Sequence, residues 1–350
     1  MTRPGRNIRA FAVVTALCTL AACGGGSSNK AAKRNNGTSS PAATSTTRAP
    51  VHYRWPLTGV VTTDPAAKSR PALTVKIENI AASRPQIGVN LADVVYEEVV
   101  ECNITRLAGV FQSQVPPVVG PIRSVRKTDT ELVQPLHGIF AFSGGAPYAI
   151  DSIDTAPVVR LDETTAGAAM FRMDGRGGAP HNLFGRGPLL YQHAPDAVGP
   201  PHALFQYDSN VPSGAAPAQH VTIGFQSANA VAWDWDPALH VWRRTWNGSP
   251  DMVQGGTPIT VHNVVVMFVD YTVGQGACNS VGAQAELQAS GQLEVLRDGR
   301  VIHGTWRYDA TDKTQHLFDA SGAPLDLEPG NTWVELPKPG YAVTVSPPAG

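Results

Sequence analysis

The chain has 350 residues, with 27 lysines and arginines against 28 aspartates and glutamates, a formal charge of −1. Only 16% of residues are charged, so no bulk field recruits nucleic acid, and no basic stripe with interleaved aromatics marks a nucleic-acid binder. Past the N-terminal leader no apolar run is long enough to cross a bilayer as a helix.

Residues 1–23 read as an export signal. Arg3, Arg6 and Arg9 form a basic start, Ala10 to Leu20 is a short apolar run, and small residues follow. The signal ends in Leu20-Ala21-Ala22-Cys23, the layout of a bacterial lipobox, with cleavage before the cysteine and a diacylglyceryl group on its sulfur. An ordinary small-residue cleavage site that contains a cysteine is the alternative. Several acyl chains on Cys23 exceed what stable anchoring needs. The mature chain is therefore expected on the outer face of the bacterial cytoplasmic membrane, with the membrane as a partner through that lipid. Residues 24–52 lack apolar bulk and carry Lys30, Lys33, Arg34 and Arg48, so they read as a disordered linker. Its root-mean-square reach is about 30 Å. Of the remaining cysteines, Cys102 and Cys278 lie in the folded part, and an exported chain with two such thiols suggests a disulfide. Two free buried thiols, or Cys102 as a nucleophile, are the other readings.

Ordered sequence begins near Tyr53-Arg54-Trp55-Pro56. Leu73 to Asn79 alternates as a half-buried strand. Val94–Glu101 and Arg106–Ser113 read as an antiparallel hairpin, and strand parity puts Glu97 and Glu101 on one face. A helix follows Gly120-Pro121, with Thr128 to Glu131 as its capping box, and Arg123 and Arg126 fall at its start. Gly138–Ser143 reads as a central strand, Pro147–Ile153 as a helix and Pro157–Leu161 as a strand. From about Gln219 strands dominate: Val231–Trp235, Val241–Trp246, a long strand Val261–Val273, the hairpin around Arg297-Asp298-Gly299-Arg300, and Trp333–Leu336 as the end of the fold. The predicted class is α+β: a mixed α/β layered N-terminal domain over 53–215, then a β-rich C-terminal domain over 216–345.

The order Pro56-Leu57-Thr58-Gly59, Arg84-Pro85-Gln86, Ala92-Asp93-Val94-Val95-Tyr96-Glu97, Ile104-Thr105-Arg106, Gly120-Pro121-Ile122-Arg123-Ser124-Val125-Arg126 and Ala179-Pro180-His181-Asn182-Leu183 resembles the YerB-like bacterial lipoproteins. This is a domain-of-unknown-function family with N- and C-terminal parts, and Gly304-Thr305-Trp306 and Gly330-Asn331-Thr332-Trp333 fit the second part. The resemblance implies an envelope location and a two-part architecture and carries no reaction, so no catalytic residue is transferred. Cys102-Asn103 departs from the small residues expected at the hairpin tip.

Glu97, Glu101, Arg106, Arg123 and Arg126, with His181 and Asn182, are the candidate site residues. They fit an internal ion-pair network, an arginine-lined pocket for an anionic cell-wall ligand or envelope protein, or acid–base chemistry by Glu101 or Glu97 with His181. The histidine spacings match no zinc signature, so no metal is expected, and no motif calls for a cofactor. Ser124-Val125-Arg126-Lys127 is formally a Ser-x-x-Lys but lacks the companion Lys-Thr-Gly element. The tryptophans of the second part read as core or as a sugar-stacking platform. The leading expectation is a lipid-anchored binding or scaffold protein, with an envelope hydrolase and a purely structural lipoprotein as alternatives.

Overall fold

The computed structural model describes residues 50–212, 214–225, 230–272 and 284–347. Cys23 and Cys278 lie outside that set, and with them the expected lipidation and the Cys102–Cys278 bridge. In chain order the elements are β1 (Leu73–Glu78), β2 (Val94–Val99), β3 (Thr105–Phe111), α1 (Lys127–Val133), β4 (Ile139–Ala141), α2 (Pro147–Ile153), β5 (Val159–Leu161), β6 (Met170–Arg172), β7 (Leu183–Gly185) and α3 (Gly187–Tyr191). The later part adds β8 (His220–Gly224), β9 (Ala230–Asp236), β10 (Val241–Trp246), β11 (Asn263–Met267), β12 (Ser290–Arg297), β13 (Arg300–Asp309), β14 (Thr314–Asp319), β15 (Thr332–Leu336) and β16 (Val343–Ser346).

The main sheet runs β13-β12-β11-β15-β2-β3-β1-β4-β5, with β14 and Ala216–Pro217 both paired to β13. Its middle is a parallel pair, β15 and β2, with Thr332 opposite Val94 and Leu336 opposite Glu98. Strands from 53–215 and from 216–345 therefore share one sheet. A second sheet, β10-β9-β8-β16, covers one face, where Val221, Trp233 and Trp242 meet Val95, Leu107 and Trp333. The other face carries Tyr96, Val110, Val265 and Val334, packed with Leu132 of α1, Leu136 and Phe205.

Cover on both faces explains why β1, β2, β3, β11 and β15 are buried along their whole length. The alternation of β1 predicted only half burial. Its polar side is instead turned toward α1, where Lys76 meets Asp129. Trp233, Trp242, Trp306 and Trp333 are enclosed, so they are core residues and present no stacking platform.

The protein is strand-rich. The helices α1, α2 and α3 have seven, seven and five residues, which leaves little of the helical layer expected over 53–215. α2 has its predicted span and connects the parallel strands β4 and β5. The N-cap of α1 is Arg126, whose N–H donates to the Asp129 carboxylate, in place of the capping box expected from Thr128 and Glu131. The Val125 N–H donates to Gly144 O at 3.0 Å, which holds the preceding chain extended, and the helix starts two residues earlier than the sequence suggests. The long strand expected over Val261–Val273 is broken because the chain changes sheets there: Thr260–Val261 pairs with β10, and β11 pairs with β12 and β15. Trp333–Leu336 does not end the fold, since β16 follows and pairs with β8.

Candidate functional site

At the carboxyl end of β1 the chain before α1 replaces β4 as its neighbour. The Glu78 N–H donates to Pro121 O at 2.9 Å and the Arg123 N–H to Lys76 O at 2.8 Å. This register sets Arg123 Nε against Glu78 Oε1 at 2.7 Å. The second oxygen, Oε2, meets His181 Nδ1 at 2.8 Å. The Glu78 side chain is 3% exposed and that of His181 31%, so a buried carboxylate holds an imidazole whose Nε2 has no partner among the described residues.

Arg106 lies opposite Glu78 across β1 and β3 and opposite Glu98 across β2 and β3. No carboxylate is within ion-pairing distance of it among the described residues. Its Nη1 makes a long bond to Ser124 O, 3.3 Å, and its buried Nε has no partner. Burial and the charges of Arg126 and Arg123 hold its pKa down to about 10, against the pull of Glu101 and Glu98. Arg126 is fully used: Nε and Nη2 donate to Glu101 Oε2 at 2.9 and 2.5 Å, and Nη1 donates to Val125 O at 2.8 Å. Burial would raise the Glu101 pKa, but the bonds and charge of Arg126 bring it below the usual value. Lys76 is enclosed between Glu98 and Asp129, and burial pushes Glu98 up against the pull of Lys76.

A second polar network lies on the opposite face of β2. Glu97 Oε1 accepts from Asn79 Nδ2 at 2.9 Å and Thr105 Oγ1 at 2.7 Å, and Oε2 accepts from Arg244 Nη2 at 2.6 Å and Trp333 Nε1 at 3.2 Å. Arg244 also pairs with Asp251, which in turn takes Arg84. Glu335 stands opposite Glu97 across β15 and β2 and accepts from Trp233 Nε1 at 2.9 Å. Burial and then the Glu97 charge push the Glu335 pKa well above the carboxylate range. Glu97 and Arg244 come from different parts of the chain, so this network joins them.

The structure thus divides the predicted residues. Arg123 and His181 both contact Glu78, and Arg106 stands opposite it in the strand register. Arg126 and Glu101 form a closed pair beside them. Glu97, expected on the same face as Glu101, is on the other side of the sheet. β2 stops at Val99, and the turn Glu101–Asn103, with Cys102 at φ 62°, swings Glu101 toward α1. Asn182 Oδ1 accepts from Arg172 Nη1 at 3.0 Å in a separate exposed pair with Glu163. The helix start, expected to help hold an anion, is occupied by the Asp129 carboxylate, which accepts the Arg126 N–H at 2.6 Å. Sequence reasoning missed Glu78, Lys76, Arg244, Asp251 and Glu335. The sequence carried no distinct signal for the first two, since Thr74-x-Lys76-x-Glu78 alternates as the polar side of a half-buried strand.

Chemically, Glu97 is enclosed and accepts four donors, so it has no lone pair to offer an outside ligand. Four cations, Lys76, Arg106, Arg123 and Arg126, face four carboxyls, Glu78, Glu98, Glu101 and Asp129. The balance turns positive when Glu98 carries a proton. The unused donors are on Arg106 and on the Nη nitrogens of Arg123, a set suited to an oxyanion. No group of three metal-ligating side chains occurs among the described residues.

Residues 57–200 match the family model described as protein of unknown function (DUF3048), N-terminal domain, and residues 221–334 match its C-terminal domain model. A Bacillus subtilis (strain 168) protein named as a lipoprotein, YerB, is 25% identical over 292 residues, 80% of this chain and 85% of that protein. The crystal structure of YerB from Bacillus subtilis has the same fold, with a TM-score of 0.73 at 22% identity over 83% of this chain and 99% of that one. With both halves of the family pattern present in order and the fold shared, the chain belongs to the DUF3048 family of proteins of unknown function.

Proposed function

We propose that the chain is a lipid-anchored protein of the bacterial envelope, attached through Cys23 on the outer face of the cytoplasmic membrane, whose folded part binds an anionic ligand through Arg106, Arg123 and His181. The lipobox at Leu20–Cys23 and the lipoprotein name of the Bacillus relative support the anchor. The observation that carries the binding role is Arg106, a guanidinium 7% exposed with no carboxylate partner among the described residues. A buried guanidinium that no carboxylate bonds directly is costly, and a ligand oxyanion would pair with it.

The test is equilibrium binding of inorganic phosphate and of an anionic wall-polymer fraction to the full chain in neutral detergent. Arg106→Gln and Arg123→Ala, checked for an unchanged urea midpoint, should each weaken binding by about tenfold or more, the effect of losing a charged hydrogen bond. Equal binding by both variants and the wild type overturns the proposal.

A further inference from the structure

A cavity of about 430 Å³ opens at the amino ends of the parallel strands β11, β15 and β2, which begin at Asn263, Thr332 and Val94. Its size is within the range of small-molecule sites, about 300–1,000 Å³. Arg106 stands opposite Glu98, at the other end of β2, so the cavity is apart from the anion site. The turn 55–60 forms one wall and is tied to the chain before β15 by the Gly330 N–H, which donates to Thr58 O at 2.8 Å. Gly330 leaves room for the His262 ring, since a Cβ at that position would lie 2.2 Å from His262 Cγ. Asn331 Nδ2 donates to Thr260 O at 2.9 Å, so its Oδ1 faces His262 and accepts from the ring Nδ1 at 2.8 Å. His262 and Asn331 are thus held in place on the wall before any ligand arrives, which lowers the cost of binding one.

Several polar groups of the lining have no protein partner. Trp55 is 5% exposed, yet its indole N–H meets no acceptor among the described residues, where a buried indole usually finds one. The Asn90 and Gln114 amides and the Thr260 hydroxyl likewise bond to nothing among the described residues. The described lining carries no lysine, arginine or glutamate. Its one acid, Asp93, is 2% exposed and spends its carboxylate on the Gln112 and Ser113 N–H groups, at 2.5 and 2.7 Å, and on the Ser113 hydroxyl. A charged ligand would therefore enter without a counter-ion, and an apolar one would leave the amides and the indole N–H unpaired. A flat base needs two faces to stack between, and the lining holds one indole. A hydroxyl both donates and accepts, and an amide presents a donor and an acceptor side by side, so neighbouring hydroxyls of one ring match Asn90 and Gln114. We propose that this cavity binds a neutral saccharide unit, with the Asn90 and Gln114 amides on its hydroxyls and Trp55 as an N–H donor and apolar wall.

The experiment titrates glucose, galactose and N-acetylglucosamine against the full chain in a polyoxyethylene detergent, which carries no sugar, with glucuronate as the charged probe and adenine as the flat one. At least one neutral sugar should bind saturably, with a Kd of about 1 mM or tighter, and at least about tenfold more tightly than glucuronate or adenine. Asn90→Ala and Gln114→Ala remove side chains that bond to nothing within the protein, so both should keep the wild-type urea midpoint. Each should weaken sugar binding by about three- to tenfold, the effect of losing one neutral hydrogen bond. Trp55→Phe, which keeps a ring and loses the N–H, should weaken it to the same extent. The proposal is overturned if none of the three sugars binds, if glucuronate or adenine binds as tightly as they do, or if the Asn90→Ala, Gln114→Ala double variant binds like the wild type.

Discussion

Arg244 is fully enclosed, with Nη2 2.6 Å from Glu97 and its guanidinium 4.8 Å from the centre of the Trp333 ring. Burial would lower its pKa, but Glu97 and Asp251 outweigh burial and raise it. Removing it in Arg244→Ala leaves Glu97 inside the protein without its cation and Asp251 with Arg84 alone. The expected loss is about 3–5 kcal/mol, read as a lower urea midpoint at unchanged slope. Arg243→Ala, one residue earlier, breaks a surface pair with Asp236 and should cost less than about 1 kcal/mol. If the two variants lose stability equally, the buried network is not what joins the strands. Arg243 and Arg244 look alike in the sequence because parity along β10 separates inside from outside only once the sheet partner is known. Arg123 and Arg126 were legible as a pair of interest for the opposite reason: they follow a Gly-Pro break and precede a helix. Glu78 was not legible, because a carboxylate in a strand reads as the solvent side, and only the cover supplied by α1 and the 120–126 chain reverses that.

Among the elements, the β2–β3 connection stores the most backbone strain in a residue that was singled out for chemistry. Cys102 adopts φ 62°, a left-handed conformation that costs an L-residue about 1–2 kcal/mol and a glycine almost nothing. A cysteine there is explained if it is bridged to Cys278, since closing so long a loop is worth on the order of 5 kcal/mol in the chain-entropy model. The mature chain should then show no alkylation of Cys102 or Cys278 without reductant and full alkylation after reduction and unfolding. Cys102→Gly should stabilise the reduced protein by about 1 kcal/mol and be less stable than the oxidised wild type. Complete labelling without reductant removes the bridge. Elements whose pattern is local were readable in advance: α2 from Pro147 and its helical spacing, the β2–β3 and β12–β13 hairpins from their turns. The break between Val261 and Asn263 was not, because it follows from a change of sheet rather than from any breaker residue.

At the scale of the whole molecule, the parallel β15–β2 pair places Glu335 and Glu97 side by side in the interior. Two adjacent carboxylates cannot both ionise there at low cost, and Glu335 is the one whose pKa burial and Glu97 push well above the usual value. Asp93, at the head of β2, is raised to about 6, chiefly by burial, and Glu131 on α1 to about 7, again chiefly by burial. For an acid whose folded pKa is raised, the folded state holds its proton while the unfolded chain has already lost it. Stability is therefore greatest below the unfolded pKa and declines as pH rises toward the folded one, by up to about 1.4 kcal/mol per pH unit for each group. Glu101, lowered by Arg126, works in the other direction and only in the acid range. The urea midpoint should accordingly fall between pH 4.5 and pH 7, where many proteins are near their optimum. Glu335→Gln mimics the protonated side chain: its carbonyl oxygen can still accept from Trp233 Nε1, and it sets no charge beside Glu97. That variant should match the wild type near pH 4.5, exceed it at pH 8 and show a shallower decline between. A wild-type midpoint that rises over this range, or a Glu335→Gln profile parallel to it, would mean that the two parts of the chain are not joined across a protonated carboxyl.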